Sequence, residues 1–118
     1  MSTNVDFDHP YSEVATAGEA VFVSGCLPVD EHENLASEPK EALDAALGMV
    51  ARRLAGIGLG LPDVVKLTYY VTDIADRALA NDQYVEFFQE PRPARTVVQV
   101  VALPRGARVE IDAVARTR

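Results

Sequence analysis

The chain has 118 residues, a formal net charge of −7 at pH 7 and one cysteine, Cys26. This length fits a single domain over residues 1–118, large enough to bury a core without a disulfide or metal staple. With 48% hydrophobic and 25% charged residues, the composition excludes a disordered chain, a collagen and a disulfide-rich scaffold. No apolar run is long enough to span a membrane, and residues 1–10 lack the basic start and apolar core of a signal peptide. A cytoplasmic protein with no membrane partner is therefore expected.

Acidic residues are concentrated in the first part of the chain. Residues 1–50 hold ten acids and one base, Lys40, whereas residues 91–118 hold two acids and six arginines. Because an acidic chain is a poor electrostatic match for nucleic acid, we expect no nucleic-acid partner. The arginine-rich end could bind a small anion, but charges that protect an exposed edge strand would explain it too. On charge alone the second interpretation is favoured.

The first half of the chain predicts two strands and a long helix. Strands over residues 12–17 and 20–24 are joined by a turn at Gly18, and a further short strand is possible near Val5. A polar loop over 25–33 follows. A helix is then expected to begin with Ser37 as its N-cap and to end at Gly58 or Gly60. Its buried stripe recurs at steps of three and four residues: Leu43, Leu47, Val50, Leu54 and Ile57.

The second half predicts three more strands and a second helix. A strand over 63–72 places Val65 on the same face as Leu67, Tyr69 and Val71. The helix after it is capped by Asp73 or Asp76 and runs to about residue 88. Its expected anchors are Leu79, Tyr84, Phe87 and Phe88. Strands over 96–101 and 108–114 follow, joined by a turn over 103–106.

This order of elements predicts an α+β fold with two helices on one face of a sheet. The strands around Val64 and Val97 carry apolar residues on both faces. The face without helices therefore also needs cover, and a second copy of the chain is the simplest one. A monomer with a modestly apolar open face is the alternative.

The motifs of several large enzyme classes are absent. The sequence contains no phosphate-binding loop, no nucleophile elbow and no His-Glu-x-x-His pair. The glycines at 56, 58 and 60 follow a helix instead of preceding one, so they are interpreted as a helix end and turn. Cys26 and the two histidines lack the spacing of zinc ligands, so we expect no metal and no cofactor. Because no base is near it in sequence, Cys26 is interpreted as a small buried hydrophobic residue.

Three segments, in order along residues 10–116, together resemble the RidA (YjgF, L-PSP) family of reactive imine and enamine deaminases. They are Pro10-Tyr11-Ser12 with Val23-Ser24-Gly25; Asp63 to Lys66 with Asn81 and Phe87-Phe88; and Pro93-Ala94-Arg95-Thr96 with Leu103-Pro104-Arg105 and Val109 to Ala115. The resemblance implies a chorismate-mutase-like α+β subunit with a mixed sheet. It also implies a homotrimer in which the sheets pack inward and the active sites lie in clefts between subunits.

Two charged residues take the main roles that the resemblance implies. Arg95 matches the family's arginine that clamps the substrate carboxylate, a task suited to the planar, two-pronged guanidinium. Glu110 matches the acid that holds the attacking water, and a carboxylate can accept a proton from that water. Without the resemblance, both would be interpreted as ordinary charged residues on strands.

Five other positions match the family's substrate cleft. Tyr11 would line it, Ser24 and Gly25 would belong to a loop that closes around the substrate, and the backbone at Val97 would meet the imine nitrogen. Asn81 also matches a family position, either as part of the site or as structural support.

The sequence departs from the family pattern at several points near this cleft. His9 replaces a glycine, Cys26 a glutamine and Thr96 a serine, and the loop over 88–95 is about three residues shorter than in a typical member. These changes bear on the size and choice of substrate more than on the type of reaction.

The resemblance implies hydrolytic deamination of 2-imino or enamino acids to 2-keto acids and ammonia. The alternatives are a module that binds or senses a small carboxylate such as a keto acid without turnover, and an endoribonuclease, against which the negative charge argues. We also expect Arg95 and Glu110 to meet across a subunit boundary. If the last two strands run antiparallel about the turn at Pro104, Glu110 is level with Val100, roughly 16 Å from Arg95 along the sheet, and an intervening strand would add about 5 Å.

Overall fold

The computed structural model describes residues 10–118, so the possible strand near Val5 and the side chain of His9 lie outside the described residues. Within residues 10–118 there are five strands and two α-helices. In chain order they are β1 (Val14–Ala17), β2 (Ala20–Cys26), α1 (Pro39–Ala55), β3 (Val64–Val71), α2 (Arg77–Phe87), β4 (Ala94–Gln99) and β5 (Val109–Arg116).

The strands form one mixed sheet in the order β1-β2-β5-β3-β4. Only β3 and β4 are parallel, which is possible because α2 connects them; the other neighbours are antiparallel. The two helices pack on each other and against one face of the sheet. The expected α+β fold is confirmed.

The core lies between that face and the helices. Alternate residues of β5 are buried, from Val109 to Ala115, as the two-residue period of a strand requires. Facing them, α1 buries residues at steps of three and four: Ala42, Leu43, Ala46, Leu47, Val50 and Leu54. Each fully buried Leu or Val contributes about 1.5–3 kcal/mol.

Both helices begin differently from the prediction. Ser37 is not the N-cap of α1, because the helix starts two residues later at Pro39, whose fixed φ suits a first turn. For α2, Asp73 accepts a hydrogen bond from the backbone N–H of Ala75 and caps a short 3₁₀ turn over Ile74–Asp76, from which the helix continues.

The end of α1 also differs from the prediction. The helix stops at Ala55 with Gly56 as its C-cap, before Gly58 and Gly60. Gly58 instead takes a positive φ of 79° in the following turn, a conformation that glycine adopts without steric cost. Ile57 is therefore 46% exposed and does not belong to the buried stripe.

A register shift changes the predicted face of β3. The pairing of β3 with β5 shifts between Val64 and Lys66. As a result Val64 is buried and Val65 is 43% exposed, the reverse of the predicted pattern, while the alternation from Leu67 onward is as expected. The predicted strands at 20–24, 96–101 and 108–114 are displaced at their ends by one to two residues.

The predicted anchors of α2 are correct only in part. Phe88 is buried but Phe87 is 45% exposed. A polar residue, Gln83, lies in the core instead. It accepts a hydrogen bond from the hydroxyl of Tyr69 at 2.7 Å and donates one to Asp44 at 2.8 Å, so its burial leaves no unsatisfied amide.

The sheet face without helices is open in the single chain. Phe22, Val65 and Val98 are among its exposed side chains. Three large apolar residues on one face match the expected need for cover by another molecule. None of the helices in the described part of the chain is long and apolar enough to cross a membrane.

Candidate active site

Four of the predicted site residues surround one cavity. Tyr11, Ser24, Gly25 and Glu110 all line a space of about 500 Å³ at the end of β2. Gly25 lies directly against the acid: a Cβ atom at this position would be 1.7 Å from the Glu110 Oε2 atom. The structure therefore places a carboxylate in the cavity wall at a point where only a glycine backbone leaves room for it.

Ser24 and Gly25 lie in a strand, which corrects the predicted loop. Both belong to the end of β2, where the pairing with β5 shifts between Val23 and Cys26. The Ser24 hydroxyl donates to the Ser12 carbonyl at 2.7 Å, which ties this strand end to the segment before β1. The residues that the family resemblance assigns to a closing loop are thus held by the sheet.

The surroundings of Glu110 make its carboxylate a better base. Burial and the nearby charge of Asp112 raise the pKa of Glu110, and the guanidinium of Arg53 opposes that rise. Asp112 itself accepts a hydrogen bond from the Tyr70 hydroxyl at 2.9 Å. A raised pKa brings a carboxylate closer to neutral pH, where a general base is most effective.

Sequence reasoning missed two arginines beside this cavity. Arg53 of α1 and Arg105 line an adjoining space of about 700 Å³ that also includes Tyr11 and Gly25. The Arg53 side chain is only 11% exposed, and its Nη1 donates to the Ser24 carbonyl at 3.0 Å. Arg53 stands in no motif, and Arg105 belongs to the Leu103-Pro104-Arg105 segment of the resemblance without a role being assigned to it, so charge was the main signal for both.

Arg95 belongs to a second group of predicted residues. Its guanidinium lies 4.7 Å from the ring centre of Tyr84 and 5.4 Å from that of Tyr69. It donates to the Ala80 carbonyl at 3.1 Å and to the side-chain oxygen of Asn81. Asn81 thus holds Arg95 in place, and a guanidinium has five N–H donors, so others remain for a ligand.

Val97 lies two residues beyond Arg95 on the same strand. In the register of β4 with β3, Val97 pairs with Tyr69 and Arg95 pairs with Leu67. Both partners are buried under the helices, so Arg95 and Val97 face the helix side of the sheet.

Arg95 and Glu110 lie on opposite faces of the sheet. Glu110 pairs with Tyr70, two strands away from Arg95, and projects to the open face. Tyr70 also pairs with Val98. Glu110 is therefore level with Val98 and not with Val100, because β3 lies between β4 and β5 and the two do not form a hairpin. The offset along the strands is three residues, roughly 10 Å.

The structure thus gathers the seven predicted residues into two groups. One contains Tyr11, Ser24, Gly25 and Glu110, and the other contains Asn81, Arg95 and Val97. A side chain cannot pass through a sheet, so the two groups do not share a ligand within one chain.

Comparison with known proteins identifies the family. The sequence model of the family described as endoribonuclease L-PSP matches residues 1–117. The chain belongs to the L-PSP (RidA) family.

Its relatives include enzymes and proteins of known structure. A 2-iminobutanoate/2-iminopropanoate deaminase from Bos taurus is 37% identical over 112 residues, which cover 90% of this chain and 79% of the bovine protein. The crystal structure of RidA from an Antarctic Psychrobacter superposes with a TM-score of 0.88 at 34% identity, covering 95% and 92% of the two chains. Escherichia coli TdcF with bound serine gives 0.86 at 31% identity, covering 95% and 91%.

Cys26, which replaces a glutamine of the RidA pattern, lies in the core of the protein. The prediction that it is buried is confirmed, since it has no exposed surface. Burial raises the pKa of its thiol to about 11, so it stays protonated and unreactive near neutral pH. Among the described residues, no three His, Cys, Asp or Glu side chains are grouped as metal ligands would be.

Proposed function

We propose that the protein hydrolyses 2-imino acids, and their enamine tautomers, to 2-keto acids and ammonia. The observation that carries this proposal is the meeting of Tyr11, Ser24, Gly25 and Glu110 around one cavity, with the carboxylate as its base. The name of the bovine relative supports the choice of substrate.

The reaction needs little more than a placed water and a placed substrate. Water adds to the carbon of the C=N bond while Glu110 accepts a proton from it, and the proton is then passed to the nitrogen. The carbinolamine that results then gives up its hydroxyl proton, which Glu110 passes to the nitrogen, so that cleavage of the C–N bond releases ammonia and the oxygen of the former water becomes the keto oxygen. The imine carbon is already electrophilic, so orientation can provide much of the rate enhancement.

The proposal assigns the substrate carboxylate to Arg95. A guanidinium binds a carboxylate through two parallel, charge-assisted hydrogen bonds, and Tyr69, Tyr84 and Asn81 hold this one in position. The backbone at Val97 then faces the nitrogen. Serine bound to Escherichia coli TdcF is a small molecule with such a carboxylate.

Because Arg95 and Glu110 face opposite sides of the sheet, the complete site includes two copies of the chain. We propose a homotrimer in which the open face packs inward and each cleft combines Glu110 of one subunit with Arg95 of the next. The exposed apolar side chains of Phe22, Val65 and Val98 support this packing. A monomer at micromolar concentration in light scattering would contradict it.

The alternatives are distinguished by what the site can bind. A sensor of keto acids would need Arg95 but not the base Glu110. A ribonuclease, the activity after which the family is described, would bind a polyanion. The two cavities carry Glu13, Glu33 and Glu110 against Arg53 and Arg105, and this balance does not favour RNA.

A coupled assay tests the proposal. 2-Iminobutanoate is generated in the cuvette by enzymatic oxidation of 2-aminobutanoate, and ammonia release is compared with the uncatalysed rate. Wild-type protein should accelerate release and Glu110→Gln should not. Binding of 2-ketobutanoate in calorimetry without acceleration would indicate the sensor instead. RNA cleavage that Glu110→Gln abolishes would indicate the nuclease.

A further inference from the structure

Arg53 is a buried cation with an incomplete set of partners. It projects from the last turns of α1 into the wall of the cavity next to Glu110. Its Nη1 donates to the Ser24 carbonyl at 3.0 Å, and its Nη2 lies 3.8 Å from a Glu13 carboxylate oxygen. Its Nε is buried and finds no hydrogen-bond partner within residues 10–118.

Such an arginine reduces the stability of the fold. Burying a guanidinium removes hydration that one good hydrogen bond and one long ion pair do not replace. An apolar side chain at this position of α1 would avoid that cost. The contacts of Arg53 therefore indicate a functional role beside the Glu110 cavity.

We propose that Arg53 is a positioning residue for the Glu110 site: it holds the Ser24–Gly25 strand end against the Glu110 carboxylate and places a positive charge on the wall of the adjoining cavity. The proposal rests on the function proposed above, in which Glu110 is the base.

The first part of this role follows from the packing of Gly25. The Gly25 backbone is in direct contact with the Glu110 carboxylate, and the carbonyl one residue earlier is the group that Arg53 binds. Ser24 is thus held at three groups: its carbonyl accepts from Arg53 and from the Cys26 thiol, its hydroxyl donates to the Ser12 carbonyl, and its N–H donates to the Glu13 carbonyl. Loss of the arginine would release one of these ties and let the backbone move relative to the carboxylate.

The second part follows from the charges around Glu110. The titratable side chains around Glu110 and Arg53 include Asp112, Tyr70, Cys26 and Glu13, and the walls of the two cavities add Tyr11, Glu33 and Arg105. Tyr70 and Cys26 have raised pKa values and are neutral near pH 7. Asp112 is the negative charge that raises the pKa of Glu110, and Arg53 is the positive charge that lowers it. Without Arg53, Glu110 would hold its proton to higher pH.

The experiment is a titration of the Glu110 side-chain carboxyl by ¹³C NMR in the full-length protein. It compares wild type, Arg53→Met, Arg53→Gln, Arg53→Lys and the control Arg52→Met, which removes an exposed charge one residue away. Removing Arg53's charge should raise the Glu110 midpoint by at least about half a pH unit, whereas Arg53→Lys and Arg52→Met should leave it nearly unchanged. Amide exchange at Ser24 and Gly25 should become roughly fivefold faster in Arg53→Met, since methionine has no N–H to donate to the Ser24 carbonyl.

Two outcomes would overturn the proposal. One is an unchanged Glu110 midpoint in a folded Arg53→Met protein, and the other is an equal shift in Arg52→Met, which would reflect net charge alone. Arg53→Gln keeps the test decisive if Arg53→Met does not fold: it removes the charge and shortens the side chain, so an unchanged Glu110 midpoint with unchanged exchange at Ser24 and Gly25 would refute the proposal. The titration does not depend on turnover. A shifted midpoint in a protein that fails the deaminase assay would refute the proposed function and retain the role of Arg53 beside Glu110.

If the protein is active, the pH profile gives a further readout. The acid limb of kcat/KM should move to higher pH in Arg53→Met by the amount that the NMR midpoint moves. A purely structural role would lower kcat/KM without moving the limb, and that result would overturn the electrostatic half of the proposal.

Discussion

Gly25→Ala is the substitution whose effect on the site can be worked out most directly from distances. A Cβ atom at this position would lie 1.7 Å from Oε2, 2.7 Å from Cδ and 3.1 Å from Cγ of Glu110. Ordinary van der Waals contact begins at 3.4 Å, so the carboxylate oxygen must retreat by about 1.7 Å. A misplacement of about 1 Å can lower the rate of a positioned reaction about 100-fold. We therefore expect kcat/KM for 2-iminobutanoate to fall by at least about 100-fold.

The same substitution should have little effect on stability. The atoms in the way belong to the end of a flexible side chain, and the φ of Gly25 does not lie in the left-handed region. The free energy of unfolding in urea should change by less than about 1 kcal/mol. Loss of activity with retained stability would separate displacement of the base from a damaged fold.

Gly48→Ala is the matched control. Gly48 is exposed on α1, and an added Cβ there meets no atom within 4 Å. Alanine should stabilise the helix by about 0.5–1 kcal/mol and leave kcat/KM unchanged. If folded Gly25→Ala protein retains wild-type kcat/KM, Glu110 is not the base, and the interpretation of the cavity as the hydrolytic site is wrong.

Three other predictions concern the two charged residues. Arg95→Lys keeps the charge but loses the two-pronged contact, so kcat/KM should fall about 100-fold with an unchanged circular dichroism spectrum; wild-type turnover would exclude the clamp. Because the pKa of Glu110 is raised in the folded state, its charged form destabilises the fold above that pKa. Glu110→Gln should therefore raise Tm at pH 7, and this gain should disappear as the pH falls to about 4, the ordinary pKa range of a glutamate. Equal gains in Tm at pH 7 and at about pH 4 would contradict a raised pKa of Glu110. Inactive Arg95→Ala and Glu110→Ala chains, refolded together in equal amounts, should recover about a quarter of the wild-type activity if each site combines two chains at random. Mixed trimers without activity would contradict the pairing of Arg95 with Glu110 across a subunit boundary, or the role of Glu110 as the acid that positions the water.

Much of the fold could be predicted from local pattern because the pattern matches the packing. The helical spacing of Leu43, Leu47, Val50 and Leu54 identified the buried face of α1, and all four are buried. The predicted face of β3 was wrong at its first residues. A register shift depends on the partner strand, and nothing in the local sequence of Val64 and Val65 marks it.

The residues of the candidate site could be predicted from motifs. Their positions relative to one another could be predicted less well, because those positions depend on the order of the strands in the sheet. The resemblance named both groups of residues. The expected level of Glu110 is wrong, because it requires a hairpin of β4 and β5 about Pro104, whereas the expected intervening strand is confirmed. In the sheet, β3 lies between them, which sets Glu110 level with Val98. Arg95 and Glu110 nevertheless do not meet within one chain, because they lie two strands apart and also face opposite sides of the sheet.

Arg53 shows why part of the site was beyond sequence reasoning. It lies between Arg52, which is exposed, and Leu54, which is in the core, so helical periodicity places it at the border of the buried face. Two adjacent arginines in the last turns of a helix are explained by the helix dipole alone. Arg53 differs from Arg52 because it binds the carbonyl of Ser24, 29 residues earlier in the chain. This contact forms because β2 continues past Ser24 beside α1. An interaction of this kind depends on how a helix packs against the end of a strand. The sequence shows that residue 53 is charged, but only the packing shows which group it binds.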